Sequence, residues 1–377
     1  MVILQKQVTE TGGASTTAIH RLPTEMLLEI LKIYQDCAPK PCPFDIARVC
    51  RLWKQVCYDY APFWSKIDLD LAMRPSSKLD QKVTFWVARA QNALVDVTIR
   101  DSARANLRVS GRPIDEADLV SLANVLCGTM SRWRSLEVAL LHTHATFFLQ
   151  KFVGLVPSLR IFELRILCDH NRDESETMHS LYPILFTPHP DTESRTPLAV
   201  CLDDSIAIFP SLIGAAITKL SVGATLATAA VDDVLRLLES CPNLEDFYLS
   251  GDLPGEPSLG HRVVLSRLTR IRLGPLGYMS SLLSFLELSA LQTFEISEVV
   301  WDSPLVDALR RIFQLCTSLS TVIMTRNNRW LMGANDAYTP FGALTAPSRD
   351  PQHCGCSLRY HTPSRFIIDS APDTIYR

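Results

Sequence analysis

Apolar residues recur with one spacing through the middle of the chain. In each occurrence, a first apolar residue is followed by two more at the third and fifth positions after it. Because side chains in a strand alternate between two faces, the last two apolar residues of each set would lie on one face of a short strand. This spacing predicts eight strands, which carry the sets Leu94-Val97-Ile99, Leu136-Ala139-Leu141, Leu159-Phe162-Leu164, Ile217-Leu220-Val222, Leu244-Phe247-Leu249, Leu268-Ile271-Leu273, Leu291-Phe294-Ile296 and Leu319-Val322-Met324.

Segments with helical spacing lie before several of these strands. Four of them are clear enough to predict helices, at 79–90, 117–130, 231–241 and 304–316. A turn signal such as Pro242-Asn243 stands between a helix and the strand that follows it. Each predicted unit is therefore a helix, a turn and a short strand.

The period of these units resembles that of leucine-rich repeats. Where no gap intervenes, the first residues of neighbouring sets are 23 to 28 residues apart, within the period of about 20–29 residues typical of such repeats. The resemblance implies a solenoid over residues 68–324, in which stacked units cover one another's apolar faces. The alternative is an ordinary α/β sheet, but its strands would be apolar throughout, whereas the residues between the apolar positions here are mostly polar.

Two stretches fall outside the repeat pattern. Residues 168–197 are rich in Asp, Glu, His, Ser, Thr and Pro and interrupt the period, which predicts a surface loop or a partly ordered insertion. Residues 325–377 lose the pattern and would either cap the solenoid or stay loose.

The amino-terminal part has a different pattern. Residues 1–18 carry no periodicity and are predicted to be a flexible lead-in. A helix then begins near Pro23, with one apolar stripe at positions 26, 27, 30, 31 and 34. Prolines between positions 39 and 43 end it, and a second helix is predicted at 44–58. Its apolar side would carry Ile46, Val49, Cys50, Trp53, Val56 and Cys57.

Residues 19–67 resemble the F-box family. The matching residues are Leu22-Pro23, Glu25, Leu27, Ile30, Val49-Cys50-Arg51, Trp53 and Pro62-Phe63-Trp64. The presence of both ends of the motif at this spacing makes the resemblance fairly specific. It implies an α/β fold class in which a three-helix F-box precedes the leucine-rich-repeat-like α/β solenoid. The proline-rich linker at 37–43 departs from the family pattern.

The resemblance implies a protein partner for the first helices. In the family, an apolar face packs on a Skp-type adaptor, so the implied adaptor-binding residues are Leu22, Pro23, Leu27, Ile30, Val49, Cys50 and Trp53. The alternative is that these residues form the core of a small helical domain. About fifty residues bury that many apolar groups only with difficulty, which favours docking. Which of the seven contact the adaptor and which hold the helices together stays open.

The polar positions between the apolar ones would face away from the core. They mix acids, bases and an aromatic group, which suits a protein ligand better than a nucleic-acid backbone. The candidate target-binding residues are Asp246, Tyr248, Arg270, Arg272 and Glu295. For any one of them, a solvated sheet face is an equally good interpretation.

Composition narrows the classes of partner. The 377 residues carry 37 Lys and Arg against 40 Asp and Glu, a formal net charge of −3, so no basic field favours nucleic acid or a membrane surface. No signal peptide or membrane-spanning run is evident, and we expect a cytoplasmic or nuclear protein. Most of the eleven cysteines lie in apolar patterns, where reduced, buried thiols are expected.

No pattern of catalytic, metal-binding or cofactor-binding residues emerges. His353-Cys354-Gly355-Cys356, followed by His361, lacks the paired Cys-x-x-Cys of typical zinc sites. Neither a phosphate-binding Gly-x-x-x-x-Gly-Lys loop nor a Gly-x-Ser-x-Gly turn is present. We therefore expect no enzyme activity, metal or cofactor.

The favoured hypothesis is a substrate-receptor subunit of a Skp–cullin–F-box ubiquitin ligase. Its F-box would bind the adaptor and, through it, a cullin, and its repeats would bind an unknown target protein. One rival is a scaffold that binds the adaptor without leading to ubiquitin transfer. Another is an unrecognised enzyme whose cleft is formed by the insertion and the C-terminal tail.

Overall fold

The computed structural model describes residues 22–37, 42–72, 78–101, 116–167, 181–187, 197–224, 230–251, 253, 256–258, 260–276, 279–297, 303–325, 356–361 and 365–370. The chain divides into two compact units. Unit 1 contains the residues up to Ser65 together with Trp86–Ala93, and unit 2 contains Lys66–Phe85 and everything from Leu94 onward. The predicted boundary at residue 67 therefore lies two residues past the end of the first part of unit 1.

Unit 1 is built from short helices. They are α1 (Thr24–Cys37), α2 (Pro43–Ala47), α3 (Arg51–Asp59) and a 3₁₀ turn at Ala61–Trp64. The first helix confirms the prediction made from its apolar spacing. The single helix predicted at 44–58 is wrong, because the chain breaks at Arg48–Val49 and resumes after Cys50, whose backbone is extended.

The break between α2 and α3 has a geometric reason. Pro43 and Cys57 are separated by 14 residues, which would span about 21 Å in one straight helix. In the structure the Cys57 thiol donates a hydrogen bond to the carbonyl oxygen of Pro43 at 3.3 Å. Only a reversal of the chain brings these residues together, and it lets α2 and α3 bury Ile46 and Val56.

The interior of unit 1 is centred on Trp64. Its side chain is fully buried, and its indole N–H donates to the Cys57 carbonyl oxygen at 2.9 Å. Phe44, Tyr58 and Trp86 each place a ring centroid 5.5 Å from that of Trp64. Edge and tilted ring contacts of this kind stabilise a small core beyond the area they bury.

Unit 2 contains most of the secondary structure. Its helices are α4 (Leu79–Ala90, whose last part from Trp86 belongs to unit 1), α5 (Glu116–Cys127), α6 (His142–Lys151), α7 (Ser211–Gly214), α8 (Val231–Glu239), α9 (Met279–Ser284) and α10 (Ser303–Leu315). Its strands are β1 (Lys66–Asp70), β2 (Val95–Arg100), β3 (Trp133–Leu141), β4 (Gly154–Leu155), β5 (Ile161–Leu167), β6 (Leu181–Pro183), β7 (Phe186–Thr187), β8 (Leu198–Asp203), β9 (Ile206–Ile208), β10 (Ile217–Ala224), β11 (Asp246–Gly251), β12 (Val263–Val264), β13 (Arg270–Leu276), β14 (Leu286–Glu287), β15 (Thr293–Ser297), β16 (Thr321–Thr325), β17 (Cys356–His361) and β18 (Arg365–Ser370).

Within the described part of the chain, one large sheet joins twelve of these strands. Their order is β1-β2-β3-β5-β8-β10-β11-β13-β15-β16-β18-β17. The first ten run parallel, and β18 and β17 are added antiparallel at one edge. The expected α/β class is confirmed, and the structure shows that the sheet is large and mostly parallel. The last two strands lie in the 325–377 segment, which was expected either to cap the repeats or to stay loose.

Two continuous rows of apolar side chains cross the ten parallel strands and form the core. No member of either row is more than 5 % exposed. Helices pack on this face; for example, the rings of Phe294 on β15 and Phe313 on α10 lie 6.2 Å apart. The first row is Ile67, Val97, Leu136, Phe162, Val200, Leu220, Phe247, Ile271, Phe294 and Val322, and the second is Leu69, Ile99, Val138, Leu164, Leu202, Val222, Leu249, Leu273, Ile296 and Met324.

The predicted strands are all present, with one error of register. The set Leu136-Ala139-Leu141 is wrong. Leu136 is the first residue of that set, but it pairs with Val97, which is the second residue of the set Leu94-Val97-Ile99. Leu136 and Val138 are therefore the β3 residues that belong to the two buried rows, and Ala139 lies on the opposite face. A run of consecutive apolar residues, Val138 to Leu141, made two registers look alike.

Two of the ten parallel strands lack a predicted counterpart. Strand β1 lies at the end of the predicted F-box, and β8 begins at the end of the predicted insertion. The insertion at 168–197 also contains the short strands β6 and β7, which pair with β9 and β4. Residues 168–180 and 188–196 of the insertion lie outside the described residues.

Candidate protein-interaction surfaces

Helix α1 carries two apolar stripes instead of the single predicted one. Leu27 and Leu31 are buried, with 0 % and 1 % of their surface exposed. Met26, Ile30 and Ile33 are exposed to 53 %, 37 % and 61 %. Residues three and four positions apart share one face of a helix, so these three form a continuous strip, called here the outer stripe.

The outer stripe is unusual because its members are large aliphatic side chains grouped on one short helix. Single exposed apolar residues are common on protein surfaces, but a contiguous group indicates a surface that another molecule covers. The ion pair on α1, Lys32 with Glu29 at 2.6 Å, is exposed and contributes little to stability. The helix thus offers an apolar strip with solvated charges beside it.

The structure separates the seven candidate adaptor-binding residues into surface and interior. Pro23, Ile30 and Val49 are exposed, while Leu22, Cys50 and Trp53 are half-buried. The prediction that Leu27 is a contact residue is corrected, because its side chain is fully buried and presents no surface in this conformation. Leu27 and Ile30 were predicted to share one stripe because they are three residues apart. In the helix they lie on adjoining sides.

Val49 and Cys50 lie in a different setting from the expected one. They were predicted on the apolar side of a helix, but they stand in the turn between α2 and α3. Val49 is 53 % exposed there. Trp53 lies on α3, and its indole nitrogen is buried without a hydrogen-bond partner among the described residues, which marks Trp53 as partly an interior residue.

Met26 and Ile33 were missed as candidate contact residues. Ile33 fell outside the predicted apolar stripe, and Met26 was within it but was not singled out. The spacing of Met26, Ile30 and Ile33 was a usable signal, since four and then three residues separate them.

The second surface is the open face of the sheet in unit 2, meaning the face opposite the two apolar rows. All five candidate target-binding residues lie on it, in register on three neighbouring strands: Asp246 pairs with Arg270, and Tyr248 with Arg272, which pairs with Glu295. The guanidinium of Arg272 lies 3.3 Å from the Asp246 carboxylate and 5.5 Å from the centre of the Tyr248 ring. The structure therefore brings the set together, and their role in binding stays a prediction.

Most of the other charges on the open face are paired. Arg100 lies 2.5 Å from Asp68, and Arg165 lies 2.8 Å from Asp203. Arg134 forms an ion pair with Asp96, to which Ser135 also donates. These pairs run across neighbouring strands and fix side chains that would otherwise be mobile in solvent.

Glu137 and Glu163 are not paired in this way, and sequence reasoning did not identify them as neighbours. They are register neighbours on β3 and β5. Burial raises the pKa of Glu163, the nearby charge of Glu137 raises that pKa further, and Arg165 lowers it. Among the described residues neither carboxylate forms an ion pair. Their relation became visible only once the strand register was known.

Other kinds of site find no support among the described residues. No group of three or more His, Cys, Asp or Glu side chains in that part of the chain is arranged to hold a metal ion. The His353–Cys354 segment lies outside the described residues, and no described helix is long and apolar enough to cross a membrane. The chain matches no protein-family model and no curated protein.

Proposed function

We propose that the chain is a substrate-receptor subunit of a Skp–cullin–F-box ubiquitin ligase, with unit 1 docking on the Skp-type adaptor and unit 2 binding the target. The observation that carries this proposal is the outer stripe of α1. It lies within the segment whose residues resemble an F-box, and it leaves three large aliphatic side chains uncovered. A partner that covers this stripe would remove apolar surface from water, which is the main driving force of such association.

The size of the effect can be estimated. Full burial of one aliphatic side chain stabilises by about 1.5–3 kcal/mol, and the outer stripe residues begin 37–61 % exposed. Covering the three would therefore contribute a few kcal/mol, about the amount that decides between micromolar and millimolar affinity. Val49 and Pro23, which are also exposed, would add to the contact.

The proposed contribution of this chain to ubiquitin transfer is positional. A target held on unit 2 would stay near the charged ubiquitin carrier, so that a bimolecular encounter becomes a local one. The neighbouring subunits would perform the chemistry. The open face, with its mixture of acidic, basic and aromatic side chains, has the composition of a protein-binding surface.

The test is co-expression of the chain with a Skp-type adaptor and a cullin. The docking variant is Met26→Asp with Ile33→Asp, which places two charges on the outer stripe. A matched control is Ile208→Asp with Leu315→Asp, since these unit 2 residues are 53 % and 60 % exposed, against 53 % and 61 % for the stripe residues. We expect the adaptor and the cullin to co-purify with wild type and control, and the docking variant to lose both.

Two results would contradict the proposal. One is the absence of adaptor from the wild-type preparation, and the other is equal recovery with the docking variant. Adaptor without cullin would favour the scaffold hypothesis over the ligase. Circular dichroism of all three proteins shows whether the docking variant has kept its helices.

A further inference from the structure

The middle of the open face differs from the rest of it. On β8 and β10, three of the residues that point to this face are small, namely Ala199, Cys201 and Ser221, and the exposed Lys219 stands at one end in register with Ala199. Larger side chains stand on the strands to either side, with Ile161 and Glu163 on β5 and Tyr248 on β11. Because neighbouring strands are about 4.8 Å apart, β5 and β11 lie about 14 Å from each other. This shallow depression, called here the central notch, is wide enough for one extended segment or one helix.

The sides of the central notch are held in place by neighbouring residues. Tyr248 is backed by Arg272, whose guanidinium lies 5.5 Å from the ring centre. Ile161 is 44 % exposed although it stands near the middle of the sheet. The Arg165–Asp203 ion pair closes one end, and Gly223 provides the space for it, because a Cβ at Gly223 would lie 2.8 Å from an Asp203 carboxylate oxygen.

Among the described residues, the two carboxylates beside the notch form no ion pair. Glu163 stands at its edge and Glu137 follows on the next strand, in direct register. Thr98 donates a hydrogen bond to Glu137 at 3.2 Å, and Arg165, the cation that lowers the pKa of Glu163, is held by Asp203 at 2.8 Å. Like charges directly opposite each other on a sheet are destabilising, so a cation placed between them would relieve the repulsion.

Building on the function proposed above, we propose that the central notch binds a segment of the target in which a Lys or Arg residue adjoins an apolar one. The apolar side chain lies over Cys201 and Ser221 between Ile161 and Tyr248. The cationic side chain reaches Glu137 and Glu163. Tyrosine and arginine are the residue types enriched where binding energy concentrates, and Tyr248 with Arg272 supplies both at the opposite side of the notch.

The test selects peptides from a displayed library of random 12-residue sequences, using the purified full chain in complex with its adaptor. We expect enriched peptides to share a Lys or Arg next to an aliphatic or aromatic residue. Synthetic peptides of the enriched sequence are then measured against Glu137→Gln with Glu163→Gln, which keeps the shape of both side chains and removes their charge. Loss of two charge-assisted contacts predicts binding weaker by about tenfold or more.

A matched control keeps the measurement specific. Glu239→Gln with Glu287→Gln removes the same charge from unit 2 outside the open face, and we expect less than about a twofold change. A second variant, Ser221→Trp, fills the notch and should abolish binding while both carboxylates remain.

The outcomes separate this inference from the proposed function. Enriched peptides without a basic residue, equal binding by the Gln variants, or no enrichment at all would overturn the notch assignment. None of these results bears on adaptor docking, because the Gln variants should still co-purify with the adaptor. Loss of adaptor binding by wild type would instead contradict the proposed function.

Discussion

Arg311 shows how one side chain can satisfy the end of a helix. Its guanidinium on α10 donates to the carbonyl oxygens of Leu283 and Ser284 at 2.6 Å each, and to that of Leu286 at 3.3 Å. These carbonyls belong to the last turn of α9 and the residues after it, where intrahelical donors run out. Sequence inspection gave no hint of this role, because Arg310 and Arg311 are adjacent and chemically identical.

We expect Arg311→Ala to lower the free energy of unfolding by about 1.5–3 kcal/mol, since charge-assisted hydrogen bonds to several carbonyls are lost together. Arg310→Ala is the control. Among the described residues, Arg310 pairs only with Asp307, on the exposed side of the helix, so its removal should cost less than about 1 kcal/mol. Urea unfolding followed by circular dichroism measures both, and equal losses would count against the capping role.

The buried thiols make stability depend on pH. Burial raises the pKa of Cys57, Cys241 and Cys316 to about 11, from an ordinary value of 9.0. In the unfolded chain these thiols ionise near pH 9, while in the folded chain they keep their protons to about pH 11. As the pH rises, ionisation of the thiols therefore stabilises the unfolded state first. The folded protein loses stability between these two pH values.

Unfolding free energies measured from pH 8 to pH 11 should show this loss. A variant with alanine at all three positions has a lower starting stability but should lose less over the same pH range. If the two pH profiles are parallel, the thiols do not titrate as their burial requires. The rate of cysteine alkylation in the native protein is a second measurement of thiol burial, because exposed Cys37 should react well before the three buried thiols.

At the scale of elements, the sequence predicted which helices and strands exist better than it predicted where they begin and end. Helix α1 and the eight strands follow from apolar spacing alone, because that spacing decides which face is buried. The break between α2 and α3 could not be foreseen, since it depends on the contact of Pro43 with Cys57 across the reversal. Strand β8 was missed because the polar segment before it concealed its three buried residues, Leu198, Val200 and Leu202.

The helices of unit 2 also depend on close backbone approach. Gly214 ends α7, and a Cβ at this position would lie 1.9 Å from the carbonyl oxygen of Ser240, the residue after α8. Gly260 offers a control, since a Cβ there would meet nothing within 4 Å. The sequence alone does not distinguish these two glycines.

We expect Gly214→Ala to destabilise the protein by about 1–3 kcal/mol, because backbone must move to accept the methyl group. Gly260→Ala should change stability by less than about 0.5 kcal/mol. Thermal unfolding of the two variants beside wild type distinguishes them. A Gly214→Ala protein as stable as wild type would show that α7 and α8 can separate at little cost.

At the scale of the molecule, the chain combines a sealed sheet core with two surfaces of different character. The two apolar rows explain why polar and apolar residues alternate along the strands of the sheet. The candidate sites were predicted less well than the fold. Leu27 was assigned to the surface and is buried, and the Glu137–Glu163 pair depends on a strand register that sequence spacing had misplaced at β3.

The central claim is that α1 is the docking surface for a Skp-type adaptor. Hydrogen–deuterium exchange of the full chain, with and without saturating adaptor, tests it most directly. We expect the amides of Thr24–Cys37 to exchange more slowly in the complex, and those of Ser303–Leu315, whose exposed Leu315 matches Ile33 in accessibility, to be unchanged. Unchanged exchange in α1 when adaptor is bound, or no complex at any concentration, would contradict the claim.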